Sequence, residues 1–247
     1  MKMKVTTKEV EVNSETREKA SYVHEMFSGI AKRYDFFNDV ISLGMHKKWK
    51  RFVAEKTVLK EGDIALDLCT GTGDIAFELL KKVGDSGKVY GVDFVQNMLD
   101  VANVRAKKET TRDITFKLGD AMNIPFEDNT FDAVTIGYGL RNVKDIPLAI
   151  EEIKRVTKKG GRIISLDLGK PTIPVYKDFY YFYFYRIMPI ITNIFQGKKD
   201  AYNYLPNSLD EYPAQKGIIK IMQNAGLKEV RCYDFAGGAT AIHVAVK

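Results

Sequence analysis

The chain is short of the residues on which several protein classes depend. Its 247 residues include two cysteines, Cys69 and Cys232. They are far apart and lack metal-ligand spacing, which speaks against a disulfide scaffold or a zinc module. Both read instead as small buried residues in a reducing compartment. No uninterrupted apolar run reaches membrane-spanning length. The first residues are charged and lack an apolar core segment, so no signal peptide is expected. Repeats, low-complexity tracts and a clear domain boundary are missing too. Excess charge is modest at +6.

That excess is unevenly placed. Between Met1 and Lys60 there are 13 Lys/Arg against 8 Asp/Glu. A basic N-terminal quarter suits an anionic surface, and a solvated basic face accounts for it equally well. The length fits one α/β domain with a full core. Residues 1–19 are polar with alternating charges and read as a flexible tail, with a short strand near Val5 to Val12. Residues 20–247 read as one domain.

Its centre is Ile64 to Ala76, IALDLCTGTGDIA. An apolar run ends in Asp67, a turn follows through Thr70, Gly71, Thr72 and Gly73, and Asp74 opens an amphipathic segment. The pattern is strand, tight turn, helix, the first unit of a nucleotide-binding fold. Glycine lets the backbone turn sharply and lets a ligand approach, and the helix start offers unpaired N–H groups. Gly71-x-Gly73-x-x-Ala76 also fits a dinucleotide fingerprint, but two carboxylates at that turn would repel a pyrophosphate. S-adenosylmethionine has an ammonium and a sulfonium in place of phosphate, and Asp67 can pair with the ammonium directly or through water. Asp74 reads more simply as an N-cap.

The strands that follow repeat the arrangement. Lys88 to Phe94 ends in Asp93, about twenty residues after the glycine turn, where a carboxylate grips ribose hydroxyls. Ile114 to Leu118 is followed by Asp120 and Ala121, and an acid there can accept a hydrogen bond from the adenine amino group. Phe131 to Ile136 is the fourth strand and Gly161 to Leu168 the fifth, with a turn at Lys158 to Gly161. Ala214 to Ala225 reads as a helix, then Lys228 to Phe235 and Ala241 to Val246 as a hairpin around Gly237 and Gly238. Alternating strands and helices predict a mainly parallel sheet. Before it, residues 20–60 carry apolar residues at helical spacing and read as a helical lid, or as helices simply buried against the domain. Residues 172–213 form an aromatic-rich insertion, with seven consecutive aromatics from Phe179 to Tyr185. That segment suits a core-packed or dimer-forming helix, or a greasy pocket mouth.

The element order resembles class I S-adenosylmethionine-dependent methyltransferases, a Rossmann-like fold. Their seven-stranded, mostly parallel sheet has helices on both faces and an antiparallel last strand. More narrowly, three stretches resemble the ubiquinone/menaquinone biosynthesis C-methyltransferase family. They are Tyr34 to Asn38 with Ser42, His46 and Trp49; Gly139 to Val143; and Arg155 to Gly161 with Asp167 to Pro171. The loop Tyr202 to Pro213 resembles the family as well. Phe37, Lys159, Asp167 and Gly169 depart from the residues usual there.

The resemblance implies methyl transfer from S-adenosylmethionine to a ring carbon of a polyprenyl hydroquinone. Cofactor contacts are expected from Asp67, Thr70, Gly71, Gly73, Asp93, Asp120 and Ala121. Arg141 is expected to stabilise a phenolate, with Asn142 as a donor, and Tyr34 and Tyr202 to position the ring. Arg141 is a poor base, so a water held by it, or His46, must take the proton. The bland alternatives are a loop-fixing salt bridge for Arg141 and a backbone-bonded helix-start residue for His46. No metal is needed. Expected surroundings are the cytoplasm, with peripheral contact at the inner face of an anionic membrane, and a homodimer stays open. Another lipid or small-molecule acceptor stays possible within the enzyme reading, and three rivals stand outside it, of which a nucleic-acid base methyltransferase would share the cofactor half. Amino-methylating nucleic-acid enzymes carry an Asn/Asp-Pro-Pro-aromatic run where this chain reads Gly137 to Leu140, and cytosine-C5 enzymes need a cysteine nucleophile. An NAD-dependent dehydrogenase and a non-enzymatic regulator are the others.

Overall fold

The computed structural model describes residues 14–110, 112–171, 173–187, 208–209 and 211–247. The proposed strand at Val5 to Val12 and the 188–207 portion of the insertion, Tyr202 included, lie outside the described residues.

Helix α1 spans Ser14–Ile30, and a 3-10 turn at Ala31–Arg33 leads into α2, Tyr34–Ser42, and α3, Met45–Lys56. The helix therefore begins inside the segment read as a tail. Its opening residues, Ser14 to Lys19, are charged and polar, so apolar spacing gives no sign of the helix there. The α/β core follows as β1 (Ile64–Leu68), α4 (Asp74–Val83), β2 (Lys88–Asp93), α5 (Gln96–Glu109), β3 (Ile114–Leu118) and β4 (Phe131–Gly137). Then come α6 (Ile146–Val156), β5 (Thr157–Leu168), α7 (Pro174–Phe182), α8 (Ala214–Asn224), β6 (Lys228–Phe235) and β7 (Thr240–Val246).

The seven strands form one sheet in the order β3-β2-β1-β4-β5-β7-β6. Neighbours from β3 to β5 pair in parallel, and β7 pairs antiparallel with both β5 and β6. Only β7 runs against the others, as expected. Buried apolar residues of the central strands, such as Leu66, Leu68, Val134 and Ile136, pack under α6 and α8 with Ile150, Ile153 and Ile218. On the opposite face Ala65, Val89 and Ile164 meet Val53, Leu79 and Leu80 of α3 and α4. Strands covered on both faces in this way read as continuous apolar runs.

The expected turn at Lys158 to Gly161 is the start of β5. A register shift between Phe131 and Ala133 absorbs the extra residues, and Gly160 takes φ +77° within it. Asp132 holds this end of the sheet together. Its carboxylate accepts from Lys158 Nζ at 2.7 and 2.8 Å and from the Ile64 amide at 2.9 Å. Lys247 Nζ adds bonds to Asn129 Oδ1 and to the carbonyls of Arg155 and Thr157. Site residues gather at the opposite end, where parallel strands place their C-terminal tips together.

Candidate active site

Five strand tips converge at this edge. Asp67 closes β1 and is 1 % exposed. One carboxylate oxygen accepts from Thr70 Oγ1 at 2.7 Å and the other from Thr135 Oγ1 at 2.6 Å. Burial pushes its carboxyl up to about 7, against the pull of those hydroxyls and of Lys50. Asp67 thus supports the turn from beneath, and its geometry favours contact with a ligand through Thr70 or a water over direct contact.

The turn itself needs glycine. Gly71 and Gly73 have φ +56° and +91°, and a Cβ on Gly73 would lie 3.0 Å from the Phe116 ring. The Gly71 amide donates to Asp93 Oδ2 at 2.8 Å, and the Val95 amide donates to Oδ1 at 2.9 Å. Asp93 therefore ties the tip of β2 to the glycine turn, and burial raises its pKa. A carboxylate accepts about four hydrogen bonds in all, so capacity remains for a ligand hydroxyl. Asp120, just beyond β3, is exposed and accepts from the Met122 amide at 2.9 Å, while Ala121 beside it is buried.

Asp74 is not the N-cap. Gly73 occupies that position without a side-chain bond, and Asp74 forms ion pairs of 2.7 Å with Lys50 of α3 and Arg105 of α5. Burial pushes its carboxyl up, but these two cations outweigh that and hold it down to about 2. Arg105 also donates to the Thr72 carbonyl at 3.0 Å and reaches Asp35 of α2 at 3.4 Å. Asp35 in turn accepts from Thr72 Oγ1 at 2.7 Å. Helix α2 is thereby fastened to the glycine turn, and Tyr34 lies over Gly71, its ring 3.8 Å from where a Cβ would stand. Burial pushes the Tyr34 phenol up to about 12, opposed by the nearby Arg141 guanidinium.

At the tip of β4, Tyr138 has φ +56°, a costly conformation for a residue with a side chain and one that concentrates at functional sites. Cys69, at the tip of the adjacent β1, has φ +51°. Its thiol is pushed well up by burial and by Asp93 and Asp67, which leaves it a poor nucleophile. The Tyr138 carbonyl accepts from Arg141 Nη1 at 2.9 Å and from Asn142 Nδ2 at 3.0 Å. Arg141 is buried. Its Nη1 donates to Asp167 Oδ1 at 2.6 Å and its amide to Oδ2 at 3.2 Å. The loop-fixing ion pair is therefore present, and it also fixes where the guanidinium stands.

His46 is not brought into this group. It is 2 % exposed, and its Nε2 lies 3.0 Å from Asp39 Oδ1 across the α2–α3 turn. Burial, with Lys50 beside it, lowers its pKa. These contacts tie it to the α2–α3 turn, as does the bond from its amide to Ser42 Oγ at 3.2 Å.

Residue spacing gave no notice of Asp167, Asp35, Thr72, Lys50 and Arg105 as site residues. Asp167 could have been suspected, as an acid within the apolar run Ile163 to Leu168. The rest are paired only by tertiary structure.

The carboxylates suit a cationic ligand. Asp67 and Asp93 are both raised by burial, and the Asp93 charge adds to the cost of ionising Asp67. A positive group seated beside them relieves that cost, and the glycine turn leaves room for close approach. S-adenosylmethionine fits these residues.

The family model described as the ubiE/COQ5 methyltransferase family matches residues 14–247. A demethylmenaquinone methyltransferase of Alkalihalophilus pseudofirmus is 40% identical over 232 residues, covering 94% of this chain and 98% of that protein. One of Staphylococcus saprophyticus is 42% identical over 234 residues, covering 95% and 100%. Among solved structures, a SAM-dependent methyltransferase from Aquifex aeolicus aligns with TM-score 0.59 at 22% identity over 80% of this chain and 89% of its own. A Haemonchus contortus phosphoethanolamine N-methyltransferase in complex with S-adenosyl-L-methionine aligns with TM-score 0.58 at 18% identity, over 80% and 52%. These two likenesses concern the fold. With the glycine turn, the strand-tip acids and a family match over nearly the whole chain, this protein is an S-adenosylmethionine-dependent methyltransferase and belongs to the ubiE/COQ5 methyltransferase family.

Proposed function

We propose that the protein methylates a ring carbon of a polyprenyl hydroquinone of the demethylmenaquinol type. The curated relatives named for that reaction support the substrate class. The structural observation that carries the reading is the Arg141 guanidinium, held 2.6 Å from Asp167 at the tip of β4 and near enough to Tyr34 to oppose its raised pKa.

S-adenosylmethionine supplies an already activated methyl group, so the protein's task is to make the ring carbon a better nucleophile. A phenol ionises near ~10. A fixed cation beside its oxygen favours the phenolate and pushes electron density onto the ring. Arg141 provides that cation, and Asp167 and the Tyr138 carbonyl keep it from swinging away. Asn142, steered by the same carbonyl, donates to the substrate oxygen. Tyr34 positions the ring over the glycine turn. A water beside Arg141 takes the phenolic proton, since arginine stays charged and His46 is engaged with Asp39. The ring carbon gains the methyl group and then loses its own proton to solvent, which restores the aromatic ring.

Thr70, Gly71, Gly73, Asp93, Asp120 and Ala121 hold the donor, with Asp67 behind Thr70. The protein works at the inner face of an anionic membrane, where its substrate dissolves. No helix among the described residues is long and apolar enough to cross one. Incubation with methyl-labelled S-adenosylmethionine and a quinol-containing membrane extract tests the assignment. Label should appear in a prenylated quinone identified by mass spectrometry, and label confined to phospholipid or protein would refute it.

A further inference from the structure

The large apolar side chains that remain exposed are not scattered. Of the twelve among the described residues, Phe36, Leu43, Met45, Ile173, Val175, Phe179, Phe182 and Tyr185 fall in two short stretches, 36–45 and 173–185. Leu43 is 86 % and Val175 83 % exposed. The stretches are far apart in sequence but meet in space, because Tyr183 Oη donates to the Ile41 carbonyl at 3.3 Å.

The inner sides of these same elements face the domain. Tyr34 lies over Gly71, Tyr180 is buried beside Leu168, and a Cβ on Gly237 would meet the Tyr176 ring at 2.6 Å. The outer side is apolar and has a cationic fringe. Residues 33–48 and 170–187 together contain six Lys/Arg against three Asp/Glu. Lys48, Lys177 and Arg186 are exposed, and Lys47 is largely so despite its pairing with Asp39.

Exposed apolar residues concentrated in one patch and bordered by cations match an anionic bilayer, whose interior takes the apolar groups and whose headgroups take the charges. We propose that the α2–α3 turn and α7 form one membrane-docking face, which seats the mouth of the active site on the lipid that carries the substrate. The inference rests on the quinol reading above. It adds the residues that touch the bilayer and the order in which the substrate travels. A prenylated ring passes between α2 and α7 directly from lipid, without crossing water.

The test uses the full chain and vesicles of phosphatidylcholine with phosphatidylglycerol, containing a long-chain demethylmenaquinol. Leu43→Glu, Phe182→Glu and the off-patch control Leu148→Glu are compared with wild type. Each patch variant should weaken vesicle binding by about tenfold or more and slow methylation of the embedded quinol to match. Both should still methylate a detergent-free, monoprenyl analogue at the wild-type rate, and the control should behave as wild type. Patch variants that bind vesicles like wild type would overturn the docking face. So would variants that turn a wild-type dimer into a monomer, because the patch would then be a subunit interface. Vesicle binding without methylation of either quinol would instead refute the substrate assignment.

Discussion

The Arg141 guanidinium and the Asp167 carboxylate meet at 2.6 Å with both side chains buried. They stand at the tips of the adjacent strands β4 and β5, so the sheet itself sets their separation. Removing one partner of such a pair strands a charge in a poorly solvated place, at a cost of roughly 3–5 kcal/mol. Asp167→Ala should therefore lower the urea midpoint substantially and stop turnover. An active variant of near-normal stability would show that Arg141 does not depend on this carboxylate.

Arg141→Ala separates the proposed chemical role from donor binding. Turnover should vanish, while calorimetry should find S-adenosylmethionine affinity unchanged. Arg141→Lys should rescue little, because a lysine ammonium cannot reproduce the fork that meets Asp167 and the Tyr138 carbonyl together. Normal rates in either variant would remove Arg141 from the mechanism.

Asp93→Ala removes the acceptor for the Gly71 amide and the expected partner of the ribose. Donor affinity should fall by about 1–3 kcal/mol, the range for a charged hydrogen bond. Equal calorimetric affinities would mean that the donor sits elsewhere.

Asp67 should leave a mark on the pH dependence of stability. Burial puts its carboxyl at about 7 in the folded chain, against ~3.9 when unfolded. Between those values the folded state holds a proton that the unfolded state has released. This residue's contribution is therefore fully present below the unfolded value and is lost as pH rises through the folded one, at roughly 1.4 kcal/mol per pH unit at most. Asp67→Asn lacks that slope, so its stability relative to wild type should improve from about pH 4 to about pH 7. Urea titrations at about pH 5 and about pH 8 would check it; an unchanged difference would argue that Asp67 stays ionised throughout.

The fastening between α2 and the glycine turn should govern donor exchange. Asp35→Ala removes the acceptor of Thr72 and one contact of Arg105. One partly exposed hydrogen bond contributes about 1 kcal/mol, so S-adenosylhomocysteine should leave about fivefold faster in stopped-flow competition. An unchanged release rate would place the barrier to exchange in another element.

The parts of this fold that could be read in advance were those coded locally. The run Ile64 to Leu68 ending at Asp67, and the run Lys88 to Val92 ending at Asp93, announce strands with acids at their tips. Glycines at 71 and 73 announce the turn. Asp74 was misread because its partners lie 24 and 31 residues away, and nothing near it in sequence displaces the capping role. The bulged start of β5 looked like a turn because Lys158 to Gly161 has turn composition, and only tertiary contacts, the Lys158–Asp132 pair and the backbone bonds of Gly160 and Gly161 with Lys247, draw it into the sheet. Ser14 to Lys19 is helical without apolar spacing. Tyr202 carried a resemblance but lies outside the described residues.

Asp132 and Lys247 lock the starting ends of the central strands, whereas the Gly71–Gly73 turn, Tyr138 and the Arg141–Asp167 pair stand at the finishing ends. The molecule thus has an anchored pole and a working pole. Backbone amides in the opening residues of β4 should be among the slowest in the chain to take up deuterium. Rearrangement of the loops at the far pole during a catalytic cycle can then proceed without loosening the scaffold that aims them.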